Sequence, residues 1–285
     1  MTAPRKAGMA AVLRPQLSDD GPDFAVLLVR RSQRASFMAN AYVFPGGRVD
    51  TADGQADPDW PTRHAAAREL AEEAGLLVAD PTSLVRFAHW ITPSAEPKRF
   101  DADCYLVSSE WTRASHGEDV KVDGEEVFDP LWLTPRQALS RYLAGDLNLP
   151  PPTVCTIEDL EAERAAALTR LRAAGRLPAV PAQACASLLV NELLSGCRSR
   201  RPYPLLPKLI AEPTGDGIAI VMPWDARFAE LPGEGSTFSA LAEGSAAVSQ
   251  RITRCLLKLS QADETYAVRS EPSQSVRWQI ERASR

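Results

Sequence analysis

Arg68–Leu76 reads RELAEEAGL, and its spacing decides how the rest of the chain is read. Glu69, Glu72 and Glu73 stand at i, i+3 and i+4, so a helix of 3.6 residues per turn brings their carboxylates onto one face. Like charges that close destabilise a helix by about 0.2–0.5 kcal/mol per pair unless something positive sits between them. A hard divalent cation suits that place, because Mg²⁺ prefers carboxylate oxygens and commonly bridges to substrate phosphates. Ala67, Leu70, Ala71 and Ala74 supply the opposite, apolar face. Gly75 falls where a helix C-cap glycine belongs.

Working outward, the helix is expected to begin near Pro61 or Thr62, with Thr62 as N-cap and Pro61 keeping the preceding chain out of helix. Upstream, Phe44–Gly47 reads FPGG, a turn whose glycines let backbone approach a ligand closely. FAVLLVR (24–30) has the short apolar run of a buried strand, and AYVF (41–44) reads as a second strand entering the turn. Further strands are expected over 84–91 and 103–109 and in VFDPLWLT (127–134), followed by a helix in PRQALSRYLAG (135–145). A turn followed by a helix bearing clustered acids points to cleavage of a phosphate anhydride.

These residues resemble the Nudix box, G-x5-E-x7-R-E-U-x-E-E-x-G-U, where U is bulky and apolar. Arg68, Glu69, Leu70, Glu72, Glu73, Gly75 and Leu76 match its second half, and Gly47 fits its first glycine. The middle departs: Gly47 and Arg68 enclose 20 residues where the family has 13, and the position eight before Arg68 is Trp60. An insert around DTADGQADPDWP interrupts the box and removes the family's first glutamate. Asp57 or Asp59 are the candidates for that residue's job of pairing with the arginine. The resemblance implies an α/β fold, a Nudix-type α/β/α sandwich with a mixed sheet. LLVRRS, VFPGGRVD, HWITPSAEPKRFDADCYLV and DPLWLTPRQAL look like the large interrupted-box subgroup that includes coenzyme A diphosphatases.

The same resemblance implies hydrolysis of a nucleoside diphosphate linked to another group, with Mg²⁺ or Mn²⁺ as cofactor. Glu69 and Glu73 are then the main metal ligands, and Glu72 a third ligand or the proton acceptor. Arg68 points back to the preceding loop, and the Gly46–Gly47 backbone offers a carbonyl ligand or room for phosphate. A further acid is expected from GEDVKVDGEEVFD, which offers Glu118, Asp119, Asp123, Glu125 and Glu126; Glu126 is the first choice. Lys98 and Arg99 are candidates for a substrate phosphate. His89 is singled out only for standing beside Trp90 in a strand expected to face the site. Coenzyme A or acyl-CoA is the first substrate candidate, with NADH, ADP-ribose and nucleotide sugars as rivals. A nucleotide-sensing module without catalysis is the reading from a different class, although such a module has no need of three crowded carboxylates.

Composition narrows the partners. A net charge of −5 argues against a general nucleic-acid footprint, which is basic. No apolar run approaches the roughly 20 residues that span a bilayer. Five widely separated cysteines without C-x-x-C fit neither a zinc motif nor a disulfide framework, so a cytoplasmic protein with reduced thiols is expected, a homodimer by family analogy. The Nudix domain is assigned to residues 8–155, with a break at Pro150–Pro152. Residues 156–285 are read as a C-terminal extension. Two helices (157–175 and 182–196, the second packing inward) precede a small accessory β-rich region packed on the domain.

Overall fold

The computed structural model describes residues 3–35, 38–115, 120–177, 182–211, 217–223, 228–231, 235, 252–258 and 278–282. The first half holds β1 (Arg5–Ser18), β2 (Gly21–Arg31), β3 (Tyr42–Val43), β4 (Gly46–Arg48), α1 (Thr51–Ala56), α2 (Pro61–Ala74), β5 (Leu76–Val78), β6 (Val85–Ile91), β7 (Phe100–Ser108), β8 (Thr112–Ala114) and β9 (Val127–Leu133). There follow α3 (Pro135–Leu143), α4 (Pro151–Ala173), α5 (Ala182–Cys197), β10 (Pro204–Leu205), β11 (Lys208–Ala211), β12 (Gly217–Val221), β13 (Ile252–Lys258) and β14 (Trp278–Arg282).

The main sheet runs β10-β6-β7-β1-β2-β3, with β4 also pairing β1 and β9 pairing β2. It is mixed: β1 runs parallel to β7 and antiparallel to β2 and β4. Period-2 alternation along β1 sends Ala10 and Val12 to one face and Ala11 and Leu13 to the other. The first pair packs with Ala66, Leu70 and Ala74 of α2; the second joins a larger core with α4 and α5 residues such as Ile157, Leu160, Leu189 and Leu193. The expected α/β/α sandwich is therefore present, with α2 on one face of the sheet and α4 and α5 on the other.

Several local expectations are corrected. β1 was not foreseen; its alanines, Arg14 and Pro15 make a poor β signal, and its fourteen residues are held by pairing on both sides instead. The FPGG turn continues directly into β4. The insert is not a plain loop, since α1 forms inside it behind a reciprocal capping box between Asp50 and Asp53. Thr62 is not the N-cap of α2; Trp60 precedes the helix and supplies no capping bond. The Thr62 hydroxyl bonds instead to Asp103 (2.8 Å) and the Tyr105 hydroxyl (2.8 Å) on β7, tying the start of α2 to the sheet. α4 begins at Pro151, inside the proline run read as a break, and passes unbroken through residue 155. A Cβ at Gly8 would lie 1.9 Å from the Thr62 carbonyl oxygen, so α2 rests directly on the β1 backbone.

β11, β12, β13 and β14 form a separate antiparallel sheet in the expected β-rich region. Cys104, Cys155, Cys185 and Cys197 are buried. Among the described residues no helix is long and apolar enough to cross a membrane.

Candidate active site

α2 ends as its sequence requires, with Gly75 in the left-handed conformation (φ 66°) and its N–H bonded to Ala71 and Leu70 carbonyls. The one-sided acid row then meets β4. Glu73 is buried, and its Oε2 accepts from the Gly46 N–H at 2.8 Å. A Cβ on Gly47 would come within 2.2 Å of Glu69 Oε1, so only glycine leaves the Glu69 carboxylate where it is. The paired glycines are thus the seat of two glutamates, a closer role than general turn flexibility.

Arg68 is the hub beside them. Its Nη2 donates to Asp53 (3.0 Å) and to the Arg48 carbonyl (2.9 Å), and its Nη1 donates to Glu69 (2.9 Å) and Glu72 (2.8 Å). Arg68 does point back to the preceding loop, but its partner is Asp53 rather than Asp57 or Asp59. Asp57 Oδ1 caps the Asp59 and Trp60 N–H groups instead. Asp53 is buried and was missed by the sequence reading; the D-x-x-D capping box from Asp50 was the available signal.

Electrostatics mark the same spot. Burial pushes the Glu73 carboxyl up to about 8, opposed by the Gly46 N–H and reinforced by Glu69; Glu126 adds to it and Arg31 opposes it. Burial also raises Glu69, against the neighbouring Arg68 guanidinium, with Glu72 and Glu126 contributing repulsion. Glu126 therefore lies close enough to act on both helix acids, although it comes from a different segment. Asp123 Oδ1 accepts the N–H groups of Glu125, Glu126 and Val127, and the Ser32 N–H binds the Glu126 carbonyl at 2.8 Å, which fixes that segment against β2. Glu118 and Asp119 lie outside the described residues, as do His116, Ser36 and Phe37.

Glu69, Glu72, Glu73, Glu126 and Arg68 line one cavity of about 790 Å³, with Gly46, Gly47 and Lys98. Arg5, Arg31 and Arg48 line it as well and went unnoticed in the sequence, where they sit in three separate segments. Burial lowers Lys98, and Arg31, Arg48 and Arg5 lower it further, so these four cations share one field. Arg99 does not line the cavity; it is buried, and its Nε donates to the Thr92 carbonyl at 3.1 Å. His89 also turns away, toward Asp101 (2.5 Å) and Arg86 (3.1 Å), while Trp90 faces the cavity, as strand alternation requires.

Among the described residues, no three His, Cys, Asp or Glu side chains are already gathered in ligating geometry. The donor set nevertheless suits a hard divalent cation: crowded carboxylates from α2 and the Glu126 segment, one of which, Glu73, burial and repulsion push up. A cation of charge +2 beside Glu73 would remove that penalty.

Residues 3–82 match the family model described as the NUDT19 Nudix domain. A Xenopus laevis protein named acyl-coenzyme A diphosphatase NUDT19 is 22% identical over 312 residues, covering 76% of this chain and 75% of that protein. A Caenorhabditis elegans relative whose name places it among nudix hydrolases is 29% identical over 163 residues, 45% of this chain. That match spans 53% of the nematode protein, about half its length. A solved NUDIX hydrolase from Alicyclobacillus acidocaldarius aligns with TM-score 0.46 and 26% identity, over 55% of this chain and 91% of that one. With the box residues seated on β4 and α2 as described, residues 3–82 are similar to a Nudix domain, and the chain is similar to proteins named as Nudix hydrolases.

Proposed function

We propose that this protein is a divalent-metal-dependent hydrolase of the diphosphate bridge in a nucleoside diphosphate linked to another group, with coenzyme A or an acyl-CoA as the first substrate. One observation carries the reading: the acids Glu69, Glu73 and Glu126 share a single cavity with the cations Arg5, Arg31, Arg48 and Lys98. A diphosphate anhydride resists water because its oxygens are negative and repel a nucleophile. The cations hold and neutralise those oxygens, while the acids hold metal and accept the proton of water.

Glu69 and Glu73 would hold Mg²⁺ or Mn²⁺, which would supply charge neutralisation at the phosphoryl oxygens and a more acidic water. Glu72 stays with Arg68, which keeps the Glu69 carboxylate turned toward Gly47. Glu126, exposed and off the helix, takes the proton from the attacking water. The P–O–P bond opens as the water oxygen joins one phosphorus, leaving two phosphate monoesters. For coenzyme A these are 3′,5′-ADP and phosphopantetheine. The choice of coenzyme A draws support from the name carried by the Xenopus relative and from a cation set larger than one diphosphate requires.

Incubating the protein with Mg²⁺ or Mn²⁺ and a panel of nucleoside diphosphate derivatives, with chromatographic identification of products, tests this. At least one compound is expected to be cleaved at its diphosphate. Glu73→Gln should lower kcat by about two to four orders of magnitude, the scale of several kcal/mol of lost charge stabilisation, while the melting temperature is retained. No product from any compound, or an unimpaired Glu73→Gln, would overturn the assignment.

A further inference from the structure

We propose that Arg30 is a positioning residue for this chemistry: by bonding Asn40 and Asp129 together, it fixes where the Glu126 carboxylate stands in the cavity. This rests on the hydrolase reading above and deepens it.

β2 ends in two consecutive arginines with different tasks. Arg31 lines the cavity, and by strand alternation Arg30 turns to the other face. Arg30 Nε donates to Asp129 Oδ2 at 2.7 Å, its Nη2 donates to the same oxygen, and its Nη1 donates to Asn40 Oδ1 at 3.3 Å. A guanidinium suits this double task, because its donors lie in a planar fork, whereas an ammonium is a point charge on a flexible stem. Each partner adjoins a segment that reaches the cavity. Asn40 closes the connection from which Ser32, Arg34, Ala35 and Met38 line it, and Asp129 follows Glu126 by three residues. The Ser32 N–H bond to the Glu126 carbonyl (2.8 Å) joins the same two segments a second time.

Both partners hold a backbone that side chains rarely adopt. Asn40 (φ 59°) and Asp129 (φ 44°) lie in the left-handed region without being glycine. Asp129 also precedes Pro130, and a residue before proline is ordinarily driven to extended backbone. The register gives the reason. β9 pairs Leu131 with Leu28 and Phe128 with Arg30, so three steps along β9 match two along β2. The extra residue is a bulge, and a slip of one residue turns every side chain upstream of it to the opposite face. Glu126 lies upstream. Its place near the helix acids therefore depends on Asp129 keeping its turned backbone, and the bonds from Arg30 favour that conformation. An ion pair with 26% and 57% of its side chains in water contributes little stability, while left-handed backbone at two non-glycine residues costs some. The arrangement is explained by what it places and not by how much it stabilises.

Steady-state kinetics of Arg30→Met, Arg30→Lys and Asp129→Gly test this, with the panel compound that the parent cleaves fastest. In both Arg30 variants kcat should fall about 10–100-fold with KM within about twofold, because a reacting group misplaced by about 1 Å loses rate before binding. Lysine keeps the charge but not the fork, so it should not rescue. Glycine adopts a positive φ freely, so Asp129→Gly should keep the parent's melting temperature while kcat falls alike. Glu126→Gln separates positioning from general damage. In that background Arg30→Met should cost no more than about a further twofold, since the group it places is already gone. A full-sized further loss, rescue by lysine, or unchanged kcat in Arg30→Met overturns the proposal. So does a Glu126→Gln variant as active as the parent, which would leave nothing to position. If the parent cleaves no compound of the panel, the hydrolase reading fails by itself, and the Arg30 link is judged by amide hydrogen exchange. The Ser32, Ala35 and Ala41 N–H groups are bonded to the Glu126, Ser32 and Met38 carbonyls (2.8, 3.1 and 3.3 Å), across Arg30 from Asp129. Asp129→Gly should speed their exchange at least about tenfold, and unchanged exchange at all three would reject the link.

Discussion

Asp53 ties the arginine of the box to the insert before α2. It is buried, it caps α1 together with Asp50, and it holds the guanidinium that in turn touches Glu69 and Glu72. Asp53→Ala should lower kcat/KM by about 10–100-fold, the usual effect of losing a group that orients a ligand. The melting temperature should fall only modestly, since a lost cap contributes about 1 kcal/mol. Steady-state kinetics beside a thermal melt separate the two effects; a large stability loss with normal kinetics in the remaining folded protein would deny Asp53 its orienting role. Gly47→Ala belongs at the same scale. The new methyl meets the movable end of Glu69, so the chain should fold while catalysis falls.

Between elements, the decisive contact is α2 lying on β1. The helix starts without a side-chain cap and is anchored by Thr62 to Asp103 and Tyr105, so its position is set by the sheet. Gly8 is what lets it lie so near, because a Cβ there would meet Thr62 backbone, which cannot step aside without moving the helix. Gly8→Ala is therefore expected to destabilise by at least about 2 kcal/mol. That corresponds to a fall of about 4–8 °C in Tm for a domain of this size. The helix acids should lose their register with Gly46 and Gly47 as well. A melt within 1 °C of the parent would show that the helix–strand contact is looser than described (about 0.3 kcal/mol or less).

Across the whole molecule, α3 and α4 are joined to the sheet through a charged group of unusual burial. Arg164 is buried, bonded to Glu161 (2.8 Å) and 3.8 Å from Asp23, and Glu161 also accepts from Arg136 on α3 (2.7 Å). Burial alone would raise Glu161, but the donors from Arg164 and Arg136 outweigh it and leave the carboxyl below its ordinary 4.5. Asp23 goes the other way, since its burial exceeds what the Phe24 N–H and Arg164 return. A depressed carboxyl contributes stability that is complete above its unfolded pKa and disappears as pH falls through its folded one. Glu161→Gln should thus lose roughly 1–3 kcal/mol at neutral pH, less than the 3–5 kcal/mol of a fully buried pair. The reason for that discount is that Glu161 keeps 22% of its side chain in water. Denaturant unfolding from pH 7 downward should show parent and variant converging below pH 4.5. A difference that stays constant with pH would mean that the ion pair is not its source.

The amino-acid sequence by itself determined the acid-bearing helix, its C-cap and its row of acids, because helical periodicity and a glycine signal are local properties. It also determined most strands, through short apolar runs bounded by turns. Pairing partners were beyond its reach. β1 exists because β7, β2 and β4 satisfy its backbone, and Thr62 left the capping role because Asp103 and Tyr105 stand opposite it. The same limit hid Asp53 behind Arg68 and scattered Arg5, Arg31 and Arg48 along the chain, although one cavity collects them. Which face His89 and Arg99 show was likewise settled by register and burial. Contacts between distant segments depend on where the packed sheet places them, and no local pattern of residues carries that information.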